Sequence, residues 1–87
     1  MKIEHQQNAT EGEFFVLDSL GNKIAQLNYF FENTNTINAH HTYVSETLRG
    51  QGVADKLYQA LRQFVQEKQL NLHPTCSYIA KKWEREK

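Results

Sequence analysis

The chain contains one cysteine, Cys76, and one proline, Pro74. A lone cysteine rules out an intrachain disulfide and argues against a disulfide-stapled secreted domain. No stretch is apolar for long enough to span a bilayer. The start, Met1-Lys2-Ile3-Glu4-His5, lacks the apolar run of a signal peptide. A cytoplasmic location without membrane contact is the expectation. Neither sign of charge is in excess, with ten basic and ten acidic residues and a formal net charge of zero. Nucleic-acid binding draws on a basic surplus that neutralises phosphates, so none is expected. Lys81, Lys82, Arg85 and Lys87 crowd the C-terminus, but Glu84 and Glu86 interrupt them, as on a solvated helix face. There is no Cys-x-x-Cys, no His-x-x-x-His and no clustered carboxylates, so no metal site is expected.

Repeats, low-complexity tracts and linkers are also missing. Eighty-seven residues leave room for one core, and residues 1–87 are expected to form a single domain. A chain this short buries roughly 60–70% of its unfolded surface, which leaves little surplus stability. With 39% hydrophobic and 23% charged residues the composition is that of an ordinary globular domain.

What is present divides at mid-chain. Residues 2–8 suggest a short polar edge strand, and 13–17 (Glu-Phe-Phe-Val-Leu) a second strand, followed by turn chemistry at 18–22. From Lys23 to Phe31 the period is two, with Ala25, Leu27, Tyr29 and Phe31 on one clean apolar face. Another turn at 32–35 leads to a long strand from Thr36 to Val44. Such short connections imply an antiparallel meander. After the polar, glycine-containing stretch 45–52 the period lengthens. Val53, Leu57, Ala60, Leu61, Phe64 and Val65 fall at helical spacing, with Asp55 in the first turn and Lys68 in the last, each suited to the helix dipole. A short strand at 71–73 and a second helix at 77–86, with Ser77 as candidate N-cap, complete the reading. The expected class is α/β in the α+β sense: a mainly antiparallel sheet with two or so packed helices.

The segment Leu48-Arg49-Gly50-Gln51-Gly52-Val53-Ala54 joins strand to helix. Backbone amides at a helix N-terminus are unsatisfied donors at the positive end of the dipole, and they attract phosphate. Gly50 and Gly52 would let the backbone approach a pyrophosphate closely, and Arg49 adds a cation. A glycine-containing turn with no ligand is the plainer alternative.

Arg49-Gly50-Gln51-Gly52-Val53-Ala54 resembles the Arg/Gln-x-x-Gly-x-Gly/Ala signature of the GNAT superfamily of N-acetyltransferases. With His41-Thr42-Tyr43-Val44 and Pro74-Thr75-Cys76-Ser77-Tyr78, the chain is similar to a branch of very short, single-domain members that carry a Pro-x-Cys motif. The resemblance implies a strand splayed from its neighbour to admit the pantetheine arm, with loop amides on the pyrophosphate. Carried over, it places acetyl-CoA (coenzyme A) against Tyr43, Val44 and Ser45 and its phosphates over Arg49, Gly50, Gln51, Gly52, Val53 and Ala54.

Cys76 precedes a helix start, where the dipole favours thiolate. The resemblance gives it a catalytic or acetyl-accepting role, as nucleophile or as acid toward the leaving CoA thiolate; packing as a small apolar group is the alternative. His41 heads its motif and is the candidate base for an amine. His40, its neighbour on a strand, is expected on the opposite face. Tyr78 is a candidate proton donor, a role often held by tyrosine in the superfamily. Lys56 and Arg62 could meet the adenosine phosphate, or simply be solvated. The expected function is acetyl-CoA-dependent transfer of an acetyl group to a small-molecule or protein amine, by a monomer or weak homodimer. A non-catalytic acyl-CoA-binding or protein-interaction module is the alternative.

Overall fold

The computed structural model describes residues 2–86. Strands β1 (Glu4–Gln7), β2 (Glu11–Leu17), β3 (Lys23–Asn33) and β4 (Thr36–Val44) pair antiparallel in chain order. A 3₁₀ turn (Glu46–Leu48) leads to α1 (Val53–Glu67). Then β5 (Asn71–Pro74) pairs parallel with β4, and α2 (Ser77–Arg85) follows. The result is the expected class, a five-stranded, mainly antiparallel sheet with two packed helices.

The three hairpins share a device. Asn8, Asp18 and Asn33 each begin a turn and accept a backbone N–H two residues on with their side-chain oxygen, at 2.9, 2.8 and 2.8 Å. These side chains imitate a turn of backbone and reverse the strand locally. The parallel β4–β5 pair cannot be closed by a hairpin, so α1 supplies the crossover.

One sheet face is the core. The predicted stripe Ala25, Leu27 and Tyr29 is buried, with Phe14 and Val16 on one side and Ile37 and Ala39 on the other. Val53, Leu57, Tyr58, Leu61 and Val65 of α1 and Ile79 of α2 cover it. Burying a leucine or isoleucine fully is worth about 1.5–3 kcal/mol, so this stripe dominates the stability of so short a chain. The helices are tied together by Tyr58, whose hydroxyl donates to Glu86 (2.6 Å), and by Lys82 on Asp55 (2.6 Å). Arg62 also pairs with Glu86, at 2.9 Å, which commits it to the helix junction. Two terminal assignments shift by one residue: Cys76, not Ser77, is the N-cap of α2, and Lys68 is the C-cap of α1.

His5, which carries no sequence signal, is part of the aromatic layer between β1 and α1. Its ring stacks on Phe14 at 4.1 Å, meets Phe64 edge-on at 4.8 Å, and Nε2 hydrogen-bonds the Tyr29 hydroxyl at 2.7 Å. Burial depresses the His5 pKa and pushes Tyr29 up to about 12. A histidine whose cation is disfavoured in the fold is protonated first in the unfolded chain. The protein should therefore hold its full stability above the unfolded histidine pKa and lose some as pH falls toward the folded one. Urea unfolding across pH 8 to 5 should show that loss, and His5→Phe should remove its His5 component; an unchanged pH profile in the variant would contradict the assignment.

Candidate active site

The ladder between β4 and β5 runs only from Thr36 opposite Asn71 to Ala39 opposite Pro74. Pro74 has no N–H to continue it. The next two N–H groups, of Thr75 and Cys76, both donate to the Ala39 carbonyl at 3.0 Å, and the chain turns into α2. From His40 to Val44, β4 therefore runs on with no strand at that edge among the described residues. The parting of β4 from β5 past Ala39 and Pro74 is a wedge, spanned by the contact of Cys76 with Thr42 at 3.4 Å.

At the mouth of the wedge β4 bulges. Asn28 faces His41 and Tyr29 faces Ala39, which leaves His40 as the extra residue. The bulge overturns the expectation that His40 and His41 point to opposite faces. Thr42 lies opposite buried Leu27 and so faces the helices, while His41 lies opposite Asn28 on the outer face. The His40 ring packs at 5.4 Å from that of Phe30, on the same outer face. His40 also lines a concavity of about 360 Å³ with Glu13 and Asn28. An extra residue in one strand is the usual way to re-aim side chains beside a site. The sequence carried a trace of it: the inward parity is odd at Ile37 and Ala39 but even at Val44.

Cys76 lies on the helix side of β4. Its Sγ is 3.4 Å from Thr42 Oγ1. Partial burial pushes the thiol up, but hydrogen bonds from Thr42 and from the N–H groups of Ile79 and Tyr78 outweigh it, and the pKa is lowered overall. Thr42 is thus a site residue to which the sequence reading gave no role. Tyr78 is half-buried under Lys82, whose Nζ lies 5.8 Å from the ring centre, and its hydroxyl makes no hydrogen bond among the described residues. His41 is exposed on the far face, so the structure brings Cys76 and Thr42 together but not Cys76 and His41.

Beyond the wedge the chain passes through the 3₁₀ turn to the start of α1. Val44 faces inward and Tyr43 outward, where it is 47% exposed. The Ser45 N–H is used by Ile24 (2.8 Å) and its hydroxyl by Thr47 (3.1 Å). Gly50 (φ 85°) and Gly52 (φ 74°) both take left-handed backbone, and a Cβ at either would meet nothing within 4 Å. Backbone conformation, rather than crowding by the protein, calls for glycine there, and the space above the loop is open. Gly52 is the N-cap of α1 and has no side chain to cap it. Among the described residues no acceptor meets the N–H groups of Val53, Ala54 and Asp55. Three donors at the positive end of a fifteen-residue helix are thus left free. Arg49 is exposed and makes no ion pair among the described residues. Val53 contributes only its N–H to this cradle, because its side chain belongs to the core. Asp55 sits close by, but Lys82 holds its carboxyl below the usual range and balances its charge.

A free donor set at a glycine-capped helix, reached from a splayed strand, suits a long ligand with an anionic middle. The sequence matches the GCN5-related N-acetyl-transferase family over residues 13–87. The chain belongs to that family. It is 40% identical over 57 residues to protein NATD1 of Xenopus tropicalis, covering 66% of this chain and 52% of that protein. It thus spans about half the length of this curated relative. The solution structure of a GCN5-like protein from Staphylococcus aureus superposes with a TM-score of 0.72 at 35% identity, over 95% of this chain and 79% of that one. The aminoglycoside N-acetyltransferase AAC(6')-Iy, solved with CoA, shares the fold at a TM-score of 0.64 and 14% identity, over 90% of this chain and 66% of its own.

Proposed function

We propose that this chain is an acetyl-CoA-dependent N-acetyltransferase acting on an amine, of the small branch marked by Pro74-Thr75-Cys76. The observation that carries the reading is the wedge at β4 that ends on the uncapped α1 N-terminus. Acetyl-CoA supplies an acetyl group activated as a thioester. Arg49 to Ala54 would hold its pyrophosphate, chiefly through the free N–H groups of Val53 and Ala54 with Arg49 as counter-charge. Val44 and the unpaired edge of β4 would fix the pantetheine arm, with Tyr43 and Ser45 flanking it. Such fixing by oriented dipoles and proximity supplies much of the rate in transfers of this kind.

His41 and Cys76 lie on opposite faces of β4, so they are alternative rather than joint proton carriers. On the outer face His41, with His40 beside it at the bulge, would take the proton from an ammonium acceptor. On the helix side Cys76, polarised by Thr42, would either protonate the departing thiolate or carry the acetyl group itself, with Tyr78 as the second donor candidate. In this reading residues 1–87 act as one domain, as a monomer or weak homodimer in the cytoplasm, without nucleic-acid or membrane partners. The acceptor is a small-molecule or protein amine.

Calorimetry with acetyl-CoA tests the first half of the reading, and the absence of binding by folded protein would sink it. Mass spectrometry of the intact protein after incubation with acetyl-CoA tests the second. If Cys76 carries the acetyl group, a 42 Da adduct (~42, one acetyl for one hydrogen) should form and vanish in Cys76→Ala, with turnover lost by roughly a hundredfold or more. Full turnover in Cys76→Ala would leave direct transfer alone. Binding without turnover on any amine would favour a non-catalytic acyl-CoA module, a reading encouraged by the outer face of the sheet, which no helix among the described residues covers.

A further inference from the structure

One buried polar side chain stands out in the sheet. Asn38, on β4 just before the wedge and opposite Phe30 on the outer face, is only 8% exposed. A buried amide costs stability unless its groups are bonded, and a valine would fill the same place without that cost. Both ends of Asn38 are bonded. Its Nδ2 donates to Glu32 Oε2 at 2.8 Å, and its Oδ1 accepts the Thr75 hydroxyl at 2.6 Å. The same Glu32 oxygen meets His73 Nδ1 at 2.5 Å. The chain of bonds therefore crosses from the end of β3 through β4 to β5 and to the corner that starts α2.

We propose that Asn38, buttressed by Glu32, is a positioning residue that clamps Thr75 at the vertex of the wedge and so fixes Cys76 beside Thr42. The backbone ties that corner to β4 through a single carbonyl. Past Pro74 the ladder has ended, and one carbonyl, that of Ala39, serves the N–H groups of both Thr75 and Cys76. The Thr75 hydroxyl adds a side-chain restraint to this tether, one residue before the thiol, by donating to Asn38 at 2.6 Å. It acts through a neutral amide whose orientation is set in turn by the Glu32 carboxylate. Only Asn38 of this network is buried, so its satisfied amide fixes geometry more than it adds net stability. The role for Cys76 rests on the function proposed above; the clamp itself does not.

Thr75→Val keeps the side-chain shape and removes the hydroxyl, and Thr75→Ser keeps the hydroxyl. The readout is the pH midpoint of Cys76 alkylation by iodoacetamide, followed by mass spectrometry, alongside the thermal midpoint and acetyl-CoA affinity. In Thr75→Val the alkylation midpoint should rise toward that of a free thiol, about 8.5, with acetyl-CoA affinity weakened several-fold; Thr75→Ser should restore both. Glu32→Ala, at an exposed position, should move the midpoint in the same direction by less. A lower thermal midpoint with an unmoved alkylation midpoint in Thr75→Val would make the network merely structural and overturn the proposal. Should Thr75→Val not fold, an unmoved midpoint in Glu32→Ala overturns it instead. Failure of the wild-type protein to bind acetyl-CoA sinks the proposed function but leaves the alkylation result to decide the clamp.

Discussion

Gly52→Asp should leave the protein folded and weaken acetyl-CoA binding by about a hundredfold or more, a loss of roughly 3 kcal/mol. Gly52 has φ 74° at the N-cap of α1, and a Cβ there meets no protein atom within 4 Å. Aspartate is among the residues that tolerate left-handed backbone, at a cost of about 1–2 kcal/mol. A carboxylate near the helix N-terminus is also favourable to the dipole, which returns part of that cost. The same carboxylate would compete for the free N–H groups of Val53 and Ala54 and repel a pyrophosphate. Each charge-assisted hydrogen bond lost is worth about 1.5–3 kcal/mol, so two account for the expected effect. Gly52→Ala adds backbone strain without charge and should weaken binding far less, by about tenfold at most. Calorimetry on the three proteins gives the order directly. Equal affinity for the aspartate and alanine variants would mean that the phosphates do not sit on this helix.

The largest stability effect is expected at Gly12, the second residue of β2. It pairs with Tyr29, and a Cβ on Gly12 would fall into the Tyr29 phenol, well inside van der Waals contact with Oη and Cζ. Tyr29 has nowhere to retreat, being fully buried with Phe14, Phe31 and Phe64 around its ring and its hydroxyl bonded to His5 and Gln7. Overpacking a filled core costs about 1–3 kcal/mol. Gly12→Ala should fall in that range and Gly12→Val should exceed about 3 kcal/mol, measured by urea unfolding at constant slope. In a Tyr29→Leu background the Gly12→Ala penalty should shrink sharply, because the two positions share one space. Additive penalties would show that the glycine is needed for some other reason. Gly21→Ala is no control for crowding, since Gly21 has φ 85° and open space around it.

These glycines mark the limit of what a linear reading supplies. Gly50 and Gly52 were legible because they interrupt a strand-to-helix junction, where periodicity changes from two to 3.6. Gly12 was not, because its reason lies seventeen positions away in Tyr29 and nothing near it in sequence hints at close approach. The candidate site divides similarly. The loop from Arg49 to Ala54, the strand from Tyr43 to Ser45 and the Pro74–Cys76 corner stand out by local residue type. Their partners Thr42, Asn38 and Glu32 are ordinary polar residues, and their contacts exist only because β3, β4 and β5 lie side by side. His41 carried a local signal too, but its face could not be read: one extra residue at His40 reverses every side chain beyond it.

The sequence by itself determined the elements and their core faces, since these follow from propensity and from apolar spacing within a few residues. The stripe Ala25, Leu27, Tyr29 and the helical set from Val53 to Val65 would be buried in any packing that covers them. It also determined that a helix start preceded by two left-handed glycines follows β4, because Gly50 and Gly52 act on their own backbone. Only the tertiary structure decided that β4 and β5 part at Ala39 and Pro74, that the bulge sends both histidines outward, and that Cys76 meets Thr42 from the helix side. Each of these is a relation between residues thirty or more positions apart or a one-residue change of register. Free energies of a few kcal/mol settle such relations in three dimensions, and they leave little imprint on the local pattern of the chain.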